Sequence, residues 1–309
     1  MLFYRLGDQP VEIGLEDLTE DMPAAGYLSS AELETVASRL DILPETVEAC
    51  RRANPLFRTG SEVYPQYTFS ELRIVNESGE DDWIGFLVRK NLMLVIDIID
   101  FDGSTRNGFV STVQRAGTAR MRSEKAASAF LEALLTGETA FIERVRNLLS
   151  QMEETVITGK ADDGMNIRLL QIKKLLLKRY NYYDQLLDVA STLVENENGV
   201  FAPKGLSCLT NLAARVTRLR SDVDTLSDSA DHLQDAYSAS LDMKLNRSMQ
   251  FLTVLTTVFF PLTIIVGWYG MNFEHMPEFG WKYGYLYVIV LSAVVVSALY
   301  LIGKKRKWF

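Results

Sequence analysis

A row of polar and small side chains recurs at helical spacing within the most apolar part of this chain. Its members, in steps of three and four residues, are Asn246, Met249, Thr253, Thr256, Phe260, Thr263, Gly267 and Gly270. Such steps place residues on one face of an α-helix. The amide and hydroxyl oxygens of the row are hard ligands, which suit a hydrated hard cation such as Mg2+, an ion that gives up its water reluctantly. The row therefore predicts the lining of a path for cations.

Three polar residues that follow the row could contact the same ion. Asn272 lies just past the last member, and Glu274 and Glu278 come next. The two carboxylates either attract cations to the mouth of the path or are solvated charges of a loop. For the row itself the alternative is close packing between helices, in which the threonine hydroxyls bond back to carbonyls of their own helix.

Two long charge-free stretches carry or border these residues. The first covers residues 248–273 and the second covers residues 283–303. Each exceeds the roughly 20 residues that a helix needs to cross a hydrocarbon core of about 30 Å, so both are predicted to span a membrane. Buried helices of a soluble core are the alternative, but soluble helices of this length rarely lack charge on every face.

The charges around the two spans predict their orientation. Lys244 and Arg247 precede the first span, and a basic tail at residues 304–307 follows the second. The loop between the spans holds two glutamates and one lysine. The positive-inside rule therefore places both termini in the cytoplasm, the loop outside, and the protein in the plasma (inner) membrane.

The first span is expected to continue a long helix. Neither glycine nor proline occurs from residue 206 to residue 260, which predicts a stalk helix (206–247) that runs without a break into the span (248–270). The stalk carries a heptad-like seam formed by Leu209, Leu212, Val216, Leu219, Val223, Leu226, Ala230, Leu233 and Tyr237. Such a seam packs against copies of itself or against a preceding hairpin, and copies are favoured because a rod of about 80 Å leaves much of its surface uncovered. A closed ring of copies would also enclose a water path, which two spans alone cannot do.

The first 120 residues are expected to form a cytoplasmic α/β domain. Strand-like runs lie at residues 2–6, 63–75 in part, 83–89 and 92–99; Ser29 with Glu32 forms a capping-box pattern, and Pro44 stands at a first-turn position. Residues 121–205 are expected to form a helical hairpin, with helices over about 121–158 and 166–196. An outer loop at 271–282, the second span at 283–303 and a tail at 304–309 complete the predicted organisation.

Composition excludes several classes of function. The 32 basic and 40 acidic residues give a net charge of -8, which argues against a nucleic-acid partner. Two cysteines and two histidines leave little material for a zinc site or a histidine-based catalytic centre. The acidic group of Asp97, Asp100 and Asp102 is more typical of a strand end than of a site, so an enzyme is not expected. A membrane-anchored coiled-coil scaffold would account for the stalk, but not for the polar row or Asn272.

The segment between the two spans resembles the CorA family of divalent-cation channels. Gly270, Met271 and Asn272 match its Gly-Met-Asn signature, and Met-Pro-Glu follows at residues 276–278. The position of the signature at the end of the first of two terminal spans makes the match specific. The resemblance implies a funnel-shaped homopentamer with an α/β cytoplasmic domain, a long stalk and two C-terminal transmembrane helices. It also implies passive Mg2+ transport driven by the membrane potential, with these three residues as the filter ring; transport of Zn2+, Co2+ or Ni2+ is the alternative within the superfamily.

The resemblance implies roles for residues elsewhere in the funnel. Asn246 and Met249 would line the cytoplasmic end of the pore, and Leu252 would join Met249 in a hydrophobic constriction. Thr263 would line the outer half, and Asp235 would lie near the mouth of the funnel. A basic collar around the stalk would consist of Lys304, Lys305, Arg306 and Lys307.

Regulation by cytosolic Mg2+ is the family property that this chain preserves least. Glu48 remains from the family's cytoplasmic carboxylate motif, whereas the partner position on the stalk falls near Asn211. Asp222, Asp224 or Asp228 would have to replace it, and closure at low affinity is expected. Mg2+ is thus the expected transported ion and a candidate regulatory ion. The expected partners are other copies of the chain, the lipid bilayer and divalent cations.

Overall fold

A computed structural model describes residues 1–7, 9–51, 60–76, 80–115, 122–271, 276 and 280–305, with the backbone alone at Lys204. The chain divides into two compact units. The first unit comprises Met1–Thr155 and Ala161–Leu233, and the second comprises Val156–Lys160 and Gln234–Phe309.

The described part of the first unit is built on a mixed sheet of seven strands. In chain order they are β1 (Leu2–Arg5), β2 (Val11–Ile13), β3 (Ala24–Ser29), β4 (Ser61–Val63), β5 (Tyr67–Ile74), β6 (Asp82–Arg89) and β7 (Leu92–Ile99). The order across the sheet is β2-β1-β3-β7-β6-β5-β4, with β3 parallel to β7 and the other neighbours antiparallel. The strand-like runs of the sequence correspond to β1, β5, β6 and β7, whereas β2, β3 and β4 were not predicted.

Helices cover both faces of this sheet. Helices α1 (Ser30–Val36) and α2 (Pro44–Arg51) share a buried cluster with Phe3 and with one face of β5 and β7. Helices α3 (Ser104–Arg115) and α4 (Ser123–Leu134) cover the opposite face, where Phe109 contacts Tyr4 and Phe130 stacks on Phe86. Phe3 and Tyr4 are neighbours on β1, and alternate side chains of a strand point to opposite faces. The α/β class expected from the sequence is thereby confirmed.

Local signals at the first two helices act as predicted. The Ser29 backbone N–H donates to Glu32 Oε2 at 2.9 Å, and the Glu32 N–H donates to Ser29 Oγ at 3.3 Å. This reciprocal pair satisfies backbone donors that have no partner within the helix. Helix α2 begins at Pro44, where the missing N–H of proline costs nothing.

The helical hairpin differs from its prediction in one respect. Its helices are α5 (Glu138–Ile157) and α6 (Met165–Glu195), and the single helix expected over residues 121–158 is wrong, because α4 ends at Leu134. Gly137, between α4 and α5, has a φ of 89°, which a right-handed helix cannot contain. Helix α3 was not predicted either.

The apolar seam of the long helix is buried within a single chain. Helix α7 runs from Leu206 to Tyr269, as the absence of helix breakers predicted, and its nine seam residues are at most 6% exposed. In the first unit α6 lies antiparallel to α7: Lys173 pairs with Asp231, and Arg220 lies 3.3 Å from Asp184. The interpretation of the seam as a contact between copies is therefore wrong and the hairpin alternative is right. A hairpin tethered to the stalk covers the seam without the entropy cost of association.

The second unit contains two candidate membrane helices. Helix α8 (Gly284–Lys305) follows the predicted second span and extends two residues into the basic tail. Both α7 and α8 are long and apolar enough to cross a bilayer, and of their most apolar stretches 0% and 6%, respectively, are buried inside the fold. Core helices of a soluble protein would be mostly buried, so the soluble-core alternative fails.

Candidate functional site

The predicted polar row lies on the face of α7 that the fold leaves uncovered. All eight members of the row are exposed in the single chain. The half-buried positions along the same stretch are Val254, Thr257, Val258, Pro261, Leu262, Ile265 and Tyr269, which share one broad face of the helix. At 100° per residue, the centre of this half-buried face is about 160° around the helix from the centre of the row. Pro261 lies on this half-buried face of α7. Membrane helices tolerate such a proline when neighbouring groups form hydrogen bonds with the backbone groups that it leaves without partners.

Helix α8 presents a matching half-buried face. Its less exposed positions are Gly284, Val288, Leu291, Ser292, Val295, Val296, Leu299 and Gly303. Two helices that each cover one stripe of the other leave their remaining faces to lipid, water or further copies. The polar row is therefore available to line a path, and the covered stripe of α7 is not.

The threonines of the row each donate a hydrogen bond within their own helix. Thr253 donates to the carbonyl of Met249 at 2.8 Å, and Thr263 donates to that of Phe259 at 2.9 Å. The Thr256 hydroxyl reaches the carbonyls of Leu252 and Thr253 at 3.1 and 3.0 Å. The packing alternative predicts these bonds, but each hydroxyl uses its single proton there and keeps oxygen lone pairs as acceptors. A hydrated cation presents the hydrogens of its water, so such acceptors suit it.

Bulky apolar side chains flank the polar members of the row. Met249, Leu252 and Phe260 are 62%, 53% and 67% exposed, respectively. Apolar rings of this kind can close a water path by dewetting. The face therefore combines acceptor oxygens with candidate constrictions.

The predicted filter is described only at its first two residues. Gly270 directly follows the last residue of α7, and its N–H donates to the carbonyl of Val266 at 2.9 Å. The Met271 N–H donates to the carbonyl of Trp268 at 3.3 Å. A Cβ at position 270 would lie 3.0 Å from the Val266 carbonyl oxygen, so the tight end of the helix favours glycine. Asn272, Glu274, Glu278, Arg306 and Lys307 lie outside the described residues.

The filter end of the helix pair is rich in aromatic residues. Trp268, Trp281 and Tyr285 are 64%, 53% and 84% exposed, respectively. A cleft of about 680 Å³ is lined there by Tyr269, Trp281, Lys282, Tyr285 and apolar residues of both helices. Amphipathic rings concentrate where a membrane meets water, so this end has the character of an interface.

Two further predicted groups lie on the surface of the described helices. Asp235 is an exposed residue of α7, and Lys304 and Lys305 are the exposed last residues of α8. Their roles at a funnel mouth and in a collar depend on neighbouring copies, so they stay predictions.

The proposed regulatory carboxylates do not form a group in the described part of a single chain. Glu48 lies on α2 with an ion pair to Arg51 at 3.5 Å, while Asp222, Asp224 and Asp228 are exposed on α7. The cluster of three acidic residues that does occur among the described residues is different and consists of Asp82, Asp100 and Asp102.

That acidic cluster acts chiefly as a cap for α3. Asp82 accepts the Ser104 hydroxyl at 3.0 Å and the Phe101 N–H at 3.3 Å. Asp102 accepts the Ser104 N–H at 2.8 Å, and hydrogen bonds from Ser104 lower the pKa of Asp102. Carboxylates beside the first turn of a helix bond its free N–H groups and favour its dipole. Asp100 and Asp102 follow the end of β7, but their carboxylates bond the first turn of α3 rather than cap the strand. Asp97 lies within β7, and Asp82 is the member of the cluster that the sequence did not suggest.

Comparison with known proteins identifies the family of this chain. The family model described as CorA-like Mg2+ transporter protein matches residues 26–305. The cobalt/magnesium transport protein CorA of Thermotoga maritima is 26% identical over 254 residues, which cover 80% of this chain and 72% of that protein. The putative metal ion transporter YfjQ of Bacillus subtilis is 39% identical over 92 residues, covering 30% and 29% of the two chains.

A solved structure shares the fold of this chain. The complete structure of the CorA magnesium transporter from Methanocaldococcus jannaschii superposes with a TM-score of 0.81 at 17% identity, covering 100% of this chain and 98% of that one. At this identity the superposition shows a shared fold: a soluble α/β part, a long helix and two C-terminal apolar helices. The family match over most of the chain establishes that the protein belongs to the CorA-like Mg2+ transporter protein family, a family of divalent-cation transporters.

Proposed function

We propose that copies of this chain form a ring, a homopentamer by analogy with the family, that conducts Mg2+ across the membrane through a pore lined by the polar row of α7. The observation that carries the proposal is that this row occupies the face of α7 opposite its half-buried stripe. Rotational symmetry would bring the row of each copy to one axis. Helix α8 would then face lipid, which suits its valine, isoleucine and leucine content.

The chemistry of the row favours an ion that keeps its water. The row carries no charge, so it cannot offset the cost of stripping the hydration shell from Mg2+. Threonine oxygens whose protons already bond a helix carbonyl act as acceptors toward the hydrogens of that shell. Gly270, Met271 and Asn272 would form the filter ring, and transport would be passive and driven by the membrane potential.

The charges on either side of the row favour a pathway for cations. Glu274 and Glu278 would attract cations at the outer mouth, and Asp235 would do so near the cytoplasmic mouth. Lys304 to Lys307 would surround the stalk as a collar. Glu48 with Asp222, Asp224 or Asp228 would bind regulatory Mg2+ across neighbouring copies, at low affinity because the family's pairing is incomplete.

The experiment is Mg2+ influx into liposomes that contain the purified protein, reported by an internal Mg2+ dye under an imposed inside-negative potential. Influx that follows the potential and is lost in Asn272→Ala is expected. Thr257→Ala is the matched control, because Thr257 donates to the Thr253 carbonyl from outside the row. Equal influx through wild type and Asn272→Ala, or no influx through either, would contradict the proposal.

Co2+ is the second candidate ion, and one observation favours it. The Thermotoga maritima relative is named a cobalt/magnesium transport protein. A filter that recognises a hydrated divalent ion through oxygen dipoles distinguishes the two metals poorly. Influx measured with Co2+ in the same liposomes, alone and in competition with Mg2+, gives the rank order.

A further inference from the structure

The tip of the α5–α6 hairpin belongs to the membrane-helix unit rather than to the unit that holds the rest of the hairpin. Val156–Lys160 is grouped with residues 234 onward. At the tip, Gly159 has a φ of 69° and its N–H bonds the carbonyl of Val156 at 3.1 Å, which closes a tight turn. The Gly159 carbonyl accepts a hydrogen bond from Lys244 Nζ at 3.3 Å. The tip is thus held against the base of the stalk.

This contact fixes how far the tip is from the hydrocarbon core. Lys244 precedes the first residue of the charge-free stretch, Ser248, by four residues, or about 6 Å of helix rise. The headgroup layer is about 5 to 8 Å thick on each side of the hydrocarbon core. A group bonded to Lys244 therefore lies at the level of the lipid headgroups.

The side chains at the tip suit that layer. Ile157, two residues before Gly159, is 77% exposed, the highest exposure among the isoleucine, leucine and valine side chains that the structure describes. On the neighbouring turn of α7, Met243 and Leu245 are 67% and 64% exposed. Apolar side chains that the fold leaves open, at the depth where the bilayer begins, gain by burial in the lipid interface.

Exposed basic residues outnumber acidic ones in this unit at this level, where Asp242 is the acidic residue beside Lys244. Lys160, Lys244 and Arg247 are exposed, as are Lys304 and Lys305 at the corresponding end of α8. The next acidic residue after the tip, Asp162, is occupied by an ion pair with Arg168 at 2.6 Å. Clusters of basic residues beside a membrane span attract anionic lipid headgroups.

From this juxtaposition we propose that the hairpin tip docks on the membrane, with Ile157 inserted among the headgroups and Lys160 and Lys244 bound to phosphates of anionic phospholipids. The docked tip restrains the base of α7 two residues before Asn246. The inference needs α7 and α8 to cross a membrane, but it does not depend on which ion, if any, is conducted. A failure of the Mg2+ assay therefore leaves it standing, and the reverse also holds.

The test uses the full-length protein in liposomes, with an environment-sensitive dye attached to a single reactive cysteine. Cys208→Ser removes the half-buried thiol, and the remaining Cys50 is 1% exposed, so we expect the dye not to reach it in the folded chain. Ile157→Cys carries the dye at the tip. Leu177→Cys is the matched control, because Leu177 is also exposed, at 60%, but lies about 18 Å along α6 from its first residue.

In vesicles that contain phosphatidylglycerol, the dye at position 157 should shift its emission to the blue. It should be quenched by a nitroxide on the lipid headgroup and shielded from aqueous iodide, whereas the dye at 177 should stay open to iodide. Lys160→Gln should weaken the nitroxide quenching at 157, and Lys160→Arg should restore it. Equal access of iodide to both positions would overturn the proposal, as would equal nitroxide quenching in pure phosphatidylcholine. Shielding from iodide without nitroxide quenching would mean that protein covers the tip, and would also overturn it.

Discussion

Removing the carboxylate of Glu138 tests the buried ion pair that joins α5 to α6. Arg179 Nη1 lies 2.7 Å from Glu138 Oε1, and the two side chains are 5% and 8% exposed. The Tyr183 hydroxyl donates to the other carboxylate oxygen at 2.5 Å. Glu138→Gln therefore leaves a buried guanidinium without its counter-ion.

The expected loss of stability is large because the guanidinium cannot easily reach water. Arg179 Nη1 also donates to the Val75 carbonyl at 3.3 Å, the guanidinium lies 4.7 Å from the Phe141 ring centre, and its Nε has no hydrogen-bond partner. Removing one partner of a buried pair costs about 3 to 5 kcal/mol. At about 2 to 4 °C per kcal/mol for a unit of this size, the melting temperature should fall by about 6 to 20 °C.

The assay is thermal unfolding of the full-length protein in detergent, followed by near-ultraviolet circular dichroism. Glu143→Gln on the same helix is the control, because Glu143 pairs with Arg146 at the surface and such pairs contribute about 0 to 1 kcal/mol. The double variant Glu138→Gln with Arg179→Met should recover much of the loss, since the unpaired charge is gone. A melting temperature of Glu138→Gln within the error of wild type, or strictly additive losses in the double variant, would refute the reasoning.

Three further predictions concern the first unit. Leu212 is a seam residue that is 1% exposed, and Leu212→Ala should lower the free energy of unfolding by about 2 to 5 kcal/mol at any protein concentration. Thr217→Ala, on the exposed face of α7, should leave it nearly unchanged. A loss of melting temperature that depends on protein concentration would mean that copies of the chain cover the seam. Gly26→Ala should lower the free energy of unfolding in denaturant by about 1 to 3 kcal/mol or more, because a Cβ there would lie 2.6 Å from Phe3 Cε1 and 2.7 Å from Leu94 Cδ2. An unchanged denaturant midpoint would contradict this packing. Burial, aided by neighbouring carboxylates, raises the pKa of Asp97 in the folded state. The stabilising contribution of the protonated Asp97 is therefore complete below the ordinary pKa of aspartate and is lost as pH rises through the raised pKa of the folded state. Asp97→Asn should therefore raise the melting temperature at pH 7, and the gain should disappear toward about pH 4; a gain that grows on acidification would reverse the sign.

Much of the fold was predictable because its signals are local. The capping box of Ser29 and Glu32 and the proline at the start of α2 needed only a few neighbouring residues. By contrast, β3 reads Ala-Ala-Gly-Tyr-Leu-Ser, with little intrinsic preference for a strand. It forms because β1 and β7 pair with it on both sides, and its partner Leu92 is far away along the chain. Pairing between distant segments leaves no periodic signal in the sequence.

The candidate site divides in the same way. The polar row could be identified by its spacing and by its contrast with apolar neighbours, and Gly270 with Met271 by a short motif. Which face of α7 remains uncovered could not be identified, because it depends on where α8 packs. The seam could not be assigned for the same reason. An apolar stripe predicts that another surface covers it, but a hairpin of the same chain and a second copy of the chain could cover it equally well.

The sequence by itself determined the membrane helices, the unbroken 64-residue helix α7 and the chemical character of one of its faces. Transfer of apolar residues from water and the 3.6-residue repeat of a helix act along a single segment, so the residues of that segment suffice to predict them. Only the tertiary structure decided the order of the sheet, the burial of the seam by the chain's own hairpin and the exposure of the polar row. These features result from competition among surfaces of distant segments, and the winner is the arrangement that buries the most apolar area at the least loss of entropy.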